Sequence, residues 1–107
     1  MKDTKVASVQ FEHAPGDKRA NLDKVRRFTA EAAEQGVELV VFPEMCVTGY
    51  WFLRDLSRDE LLELSEPVPS GATTQKLLRL AKQHNLSLGA GLLEISDEGE
   101  LFNSYVV

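Results

Sequence analysis

Three features of this sequence predict an α/β fold of the α+β type, with the element order β-α-β-α-α-β-β. Apolar residues alternate with their neighbours at the period of two near the start of the chain and again in its last quarter, as a strand requires. Between these stretches lie segments whose apolar residues recur at helical spacing. Glycine and proline clusters separate the periodic segments at the points where the chain must turn.

Lys5 to Phe11 reads as the first strand, with Ala7, Val9 and Phe11 alternating against Val6, Ser8 and Gln10. His13-Ala14-Pro15-Gly16-Asp17 is a turn, and Asp17 has the short polar side chain of a helix N-cap. From Lys18 to Gln35, Leu22, Val25, Phe28, Ala32 and Ala33 mark one helical face, and Gly36 supplies the left-handed residue that ends the helix. Val37 to Phe42 is almost wholly apolar, as in a strand covered on both faces. This β-α-β unit implies parallel strands joined by a right-handed crossover.

Pro43 to Asp55 is expected to be a loop carrying bulky residues. Ser57-Arg58-Asp59-Glu60 has the capping-box pattern and opens a short helix through Leu64. Pro67-Val68-Pro69-Ser70-Gly71 interrupts it. A second helix from about Ala72 to His84 turns Leu77, Leu78 and Ala81 inward, leaving Lys76 and Lys82 as solvated charges. Leu86, Leu88, Ala90 and Leu92 then alternate with Ser87, Gly89 and Gly91 as a third strand. Asp97-Glu98-Gly99-Glu100 is a hairpin turn into a fourth strand, Leu101 to Val107.

A length of 107 residues allows one domain. The hydrophobic share of 43% and charged share of 27% are those of a globular chain. The net charge is −5, and neither half carries the basic stripe that nucleic acid or an anionic membrane would demand. The single cysteine, Cys46, excludes an internal disulfide and a cysteine-based zinc cluster. No apolar run approaches the ~20 residues of a membrane span, and the start lacks the signal-peptide pattern, so a reducing cytoplasm is the expected compartment. Tyr105-Val106-Val107 is an apolar strand with no turn or polar residue after it, which would leave an unprotected edge. The 107 residues are therefore expected to be the opening portion of a larger domain, the alternative being a docked terminal strand in a small complete fold.

Phe42-Pro43-Glu44 stands where a buried strand gives way to a loop, the position at which open α/β sheets gather ligands. A carboxylate partly desolvated there can act as a general base, although a surface glutamate beside a turn proline has the same pattern. Cys46, two residues on, invites a nucleophile reading. Its apolar neighbours Met45 and Val47 equally suit a small buried hydrophobe. His13 and His84 have no partners at metal-ligand spacing, and His84 suits a helix C-terminus through the macrodipole. Gly89-Ala90-Gly91-Leu92-Leu93-Glu94 mimics a dinucleotide fingerprint but lacks the third glycine and the helix that should follow. Its glycines are expected to admit close helix–sheet packing. Tyr50 and Trp51 could line a pocket or fill the core.

Val37-Glu38-Leu39-Val40-Val41-Phe42-Pro43-Glu44, followed by Thr48-Gly49-Tyr50, resembles the nitrilase, or carbon–nitrogen hydrolase, superfamily. Val6-Ala7-Ser8-Val9-Gln10, Asn21-Leu22, Gly36, Gly89 to Glu94 and Leu101-Phe102-Asn103-Ser104 support the likeness in the same order. The resemblance implies an α-β-β-α sandwich of two sheets with helices outside, of which this chain would be the N-terminal part. It also implies assembly into homo-oligomers through a helical face. The implied reaction is cofactor-free hydrolysis of a non-peptide carbon–nitrogen bond in small amides, nitriles or N-carbamoyl compounds by a Glu-Lys-Cys triad. Glu44 matches the family's general base, and Tyr50 is the candidate substrate-binding residue. The family lysine and nucleophilic cysteine match no position in residues 1–107, so the isolated chain is expected to be inactive. Two other readings stand beside this one. One is a non-catalytic binding module that pairs through its last strand. The other is a small thiol hydrolase using Cys46 with His13.

Overall fold

The computed structural model describes residues 2–107. Its elements are β1 (Val6–Ser8), α1 (Lys18–Glu34), β2 (Leu39–Val41), α2 (Tyr50–Leu53), α3 (Arg58–Leu64), α4 (Ala72–His84), β3 (Ser87–Ile95) and β4 (Leu101–Val106). The strands form one sheet in the order β1-β2-β3-β4, parallel at its first two pairings and antiparallel at β3–β4. This is the predicted order with one addition, the single turn of α2. That turn lies inside the expected loop and has no side-chain cap to announce it, since its N-cap is Gly49. What anchors α2 is distant in sequence: the Phe52 ring lies where a Cβ on Gly16 would stand, at 2.7 Å.

Local chemistry sets the helix ends as expected. Asp17 Oδ1 accepts from the Ala20 N–H at 3.0 Å, satisfying one of the free donors that every helix start leaves. Gly36 follows α1 with φ +75°, open space around it. At α3 both halves of the capping box form: Ser57 Oγ accepts from the Glu60 N–H, and Glu60 accepts from the Ser57 N–H, each at 3.2 Å.

Helices α1 and α4 cover one face of the sheet. Leu22, Val25 and Ala32 of α1 and Leu77 of α4 meet Val40, Leu88, Ala90 and Leu92, with Val37, Phe42 and Leu86 closing the ends. Burying a side chain such as Val25 or Val40 completely contributes about 2 kcal/mol. The inner stripe of α4 differs from the predicted one. Leu78 is 53% exposed, because a residue next to Leu77 is rotated ~100° around the helix, and Leu80 packs with Ala81 instead. Lys76 and Lys82 are exposed, as expected.

The first two strands are shorter than predicted. β1 and β2 pair over three residues each, and one more bond, Val9 N–H to Val41 C=O at 2.9 Å, extends the ladder. Phe11 leaves the sheet to pack against Phe28 and Phe42, at centroid distances of 6.3 Å to each. β2 is not covered on both faces: Val40 is buried under the helices, whereas Leu39 and Val41 on the other face are half-buried. The chain thus builds one helical layer and one sheet of the two-sheet sandwich that the resemblance implies.

Glu66 ties three elements together beyond the core. Its backbone bridges to β3, donating to Leu93 C=O and accepting from the Ile95 N–H, each at 3.0 Å. Its carboxylate accepts from Lys18 Nζ on α1 at 2.7 Å and from the Thr73 N–H on the first turn of α4 at 2.8 Å, and takes the Thr73 hydroxyl as well. Burial pushes the Glu66 carboxyl up, but the hydrogen bonds from Lys18 and Thr73 outweigh it and hold the group below its ordinary value of 4.5. A depressed folded-state value means stability that is complete above 4.5 and lost as pH falls through that folded value. Glu66→Gln is expected to cost about 2 kcal/mol in urea denaturation at neutral pH, the worth of hydrogen bonds to a charged acceptor. The gap from the parent should close as the pH falls below the carboxylate range.

Candidate active site

At the end of β2 the ladder continues one step, Phe42 N–H to Gly89 C=O at 2.8 Å, and then stops, because Pro43 has no N–H to offer. The chain turns over residues 44–48, with Met45 in the left-handed region at φ +52°. This turn lies directly on β3. A Cβ built on Gly91 would stand 2.2 Å from the Met45 nitrogen and 2.9 Å from Glu44 Cα, so only glycine allows the two backbones to meet. The Gly91 carbonyl then accepts the Val47 N–H at 3.3 Å.

Gly89 and Gly91 face away from α1 and α4, and so the expectation that they admit helix–sheet packing is wrong. They open a trough on the opposite face of β3. β4 lies along its far side, and the register places Tyr105 beside Gly91 and Asn103 beside Leu93. Tyr105 crosses the trough over Gly89, its ring where a Cβ would stand at 2.7 Å, and its hydroxyl donates to Phe42 C=O at 2.7 Å. Burial pushes this phenol above its ordinary value. Asn103, two residues earlier on the same face of β4, donates through Nδ2 to Glu44 Oε1. Among the described residues Asn103 is the only side chain that hydrogen-bonds the Glu44 carboxylate, and no cation pairs with it. Glu44 is exposed, so these residues do not supply the desolvation expected at the strand end.

The other side of the turn is pinned by Asn21. This side chain is fully buried; it accepts from the Ala14 N–H at 2.7 Å and donates to Ala14 C=O at 2.9 Å and to Val47 C=O at 2.8 Å. With the bond from Gly16 N–H to Thr48 C=O at 2.8 Å, it locks the loop after β1 to the loop after β2. No local chemical pattern in the sequence marks Asn21, Asn103 or Tyr105 as part of this site. Asn21 stands one residue from the apolar stripe of α1, and its hydrogen bonds reach 26 residues along the chain. Asn103 and Tyr105 alternate with the rest of β4 like any strand residues.

Tyr50, the candidate substrate-binding residue, begins α2 and is 45% exposed, with its ring edge-on to Trp51 at 5.5 Å. The Arg54 guanidinium lies 5.3 Å from the Trp51 ring centre. Tyr50 and Glu44 share no hydrogen bond among the described residues. Cys46 is fully buried, its thiol pointing to Gly91 C=O at 3.9 Å, and burial pushes that thiol up from its ordinary value. His13 packs on Gly49 and edge-on to Phe11, and does not bond to Cys46. A Cys46–His13 nucleophile is therefore not formed. The described residues hold no cluster of three or more His, Cys, Asp or Glu side chains able to bind a metal.

Residues 5–107 match the family profile of the carbon–nitrogen hydrolases. A nitrilase from Pyrococcus abyssi is 37% identical over 103 residues, covering 96% of this chain but only 38% of the nitrilase. The crystal structure of an N-terminal amidase superposes with a TM-score of 0.79 at 19% identity, covering 95% of this chain and 24% of that one. An amidase from Nesterenkonia sp. AN1, whose active-site cysteine adds acrylamide, superposes with a TM-score of 0.67 at 21% identity, over 96% of this chain and 37% of the amidase. At such identities the two structures establish a shared fold.

The close approach at Gly91 and the burial of Cys46 have measurable consequences. Gly91→Ala should destabilise the chain by about 3 kcal/mol or more, since both colliding groups are backbone. Gly36→Ala, which meets only backbone strain, should cost about 1 kcal/mol in the same urea titration. A thiol reagent should leave Cys46 unmodified in the native chain and label it fully in denaturant.

Proposed function

The chain belongs to the carbon–nitrogen hydrolase family, and on that premise we propose that it contributes the general base, Glu44, to hydrolysis of a non-peptide carbon–nitrogen bond. The substrate would be a small amide, nitrile or N-carbamoyl compound. One observation carries the reading. Glu44 stands just beyond the carboxyl end of β2, and Asn103 engages its Oε1 while its Oε2 makes no hydrogen bond among the described residues. A carboxylate so held presents one defined oxygen to receive a proton. In the reaction it would take the proton of a cysteine thiol, and the thiolate would attack the substrate carbon. For an amide, the proton passes on to the departing amine as the tetrahedral adduct collapses to a thioester, which water then cleaves. A lysine would stabilise the negative charge that develops on the substrate.

Residues 1–107 carry the first of these three groups. We take them as the opening portion of the catalytic domain, in keeping with the 38% of the Pyrococcus abyssi nitrilase that they span. Cys46 does not serve as the nucleophile, being buried with a raised thiol pKa. Tyr50 would contribute to a pocket wall from the start of α2, and the working assembly would be a homo-oligomer. A second reading, strand addition by a partner chain, is favoured by the place of β4 at the sheet edge with Phe102 and Tyr105 exposed.

The test replaces the matching stretch of the Pyrococcus abyssi nitrilase with residues 5–107 of this chain. Glu44→Gln in that chimera should lower kcat on its nitrile substrate by about 10³-fold or more while the melting temperature holds. Turnover within tenfold of the parent chimera would end the general-base reading. The 107-residue chain alone should hydrolyse no member of an amide, nitrile and N-carbamoyl panel above the rate in buffer.

A further inference from the structure

We propose that Asn103 is a positioning residue for Glu44, and that Asn103 and Tyr105 together form a brace from β4 to the end of β2. The inference rests on the general-base reading of Glu44. Both side chains project from the same face of β4, two residues apart, and both reach past β3 to the end of β2. Tyr105 passes over Gly89 to hold the Phe42 carbonyl at 2.7 Å. Asn103 reaches the Glu44 carboxylate beside Gly91, on which the Glu44–Met45 backbone rests. The brace therefore fixes the chain two residues before Glu44 and the carboxylate itself, from one strand that is rigidly paired over six residues.

The chemical effect follows from the donor. Glu44 is exposed and has no ion-pair partner among the described residues, so its carboxylate would otherwise turn freely about its last two torsions. An amide N–H on Oε1 selects one orientation and leaves Oε2 as the oxygen that accepts the proton. A carboxamide suits this position because it donates without carrying a charge. A lysine there would form an ion pair and weaken the carboxylate as a base.

Two readouts separate this inference from the reading beneath it. In the ¹H–¹⁵N spectrum of the 107-residue chain, Glu44→Ala should move the Asn103 side-chain amide pair and leave the buried Asn21 pair in place. An Asn103 pair that does not move would overturn the contact. In the chimera, Asn103→Ala should lower kcat about 10- to 100-fold with KM within about twofold and an unchanged melting temperature, and Asn103→Gln should restore part of the loss. If Glu44→Gln abolishes turnover but Asn103→Ala leaves kcat intact, the positioning role is refuted and the general base survives. If Glu44→Gln itself is harmless, the general-base reading fails first.

Discussion

The region around Glu44 depends on the absence of a side chain at position 91. A β-strand normally holds its neighbours at ~4.8 Å in the sheet plane and keeps other chain off its faces with side chains. Gly91 removes that separation, and the Glu44–Met45 backbone settles onto the strand where a Cβ would stand. The contact explains why Met45 tolerates a positive φ: the left-handed turn brings Val47 back to donate to the Gly91 carbonyl and Met45 C=O back to accept from the Gly49 N–H at 2.9 Å. Glu44 is carried on this seat, so its position is set by backbone contact and not by the flexibility of a surface loop.

Two polar nodes hold the seat in register with the rest of the fold. Asn21 is buried with its oxygen and nitrogen both satisfied by backbone, which is the condition under which a buried amide stabilises instead of costing free energy. It joins α1 to the two loops at the carboxyl ends of β1 and β2. Glu66 does the corresponding work for α4, satisfying a free donor at its first turn while pairing with Lys18 of α1. The hydrophobic layer between helices and sheet is non-directional and sets overall burial. These nodes set the angular and axial placement that a site needs.

The division of the sheet into two faces gives the arrangement its functional sense. The face under α1 and α4 is closed by Val40, Leu88, Ala90 and Leu92. The other face carries Glu44, Asn103 and Tyr105 in one cluster, with Leu39 and Val41 half-buried beside it. The carboxylate proposed as general base thus stands on the open face, with its supporting side chains supplied by a strand.

The sequence alone determined the element order apart from α2, the ends of α1 and α3, the crossover that makes β1 and β2 parallel, and the candidacy of Glu44. Each of these is encoded within a few residues: Asp17 and Gly36 bracket one helix, Ser57 and Glu60 cap another, and Pro43 stops a ladder. Tertiary structure alone decided what surrounds Glu44. Leu78 and Leu77 are both apolar neighbours on one helix, and only the packing of α4 on the sheet tells which is buried. The glycines of β3 look alike whether they admit a helix, a phosphate or a turn, and only the folded chain gives Gly91 to the turn and Gly89 to the Tyr105 ring. Asn103 lies 59 residues from Glu44, a hydrogen bond that no local pattern can announce. Side chains acquire such roles from the pairing of distant segments, and that pairing is a property of the folded chain.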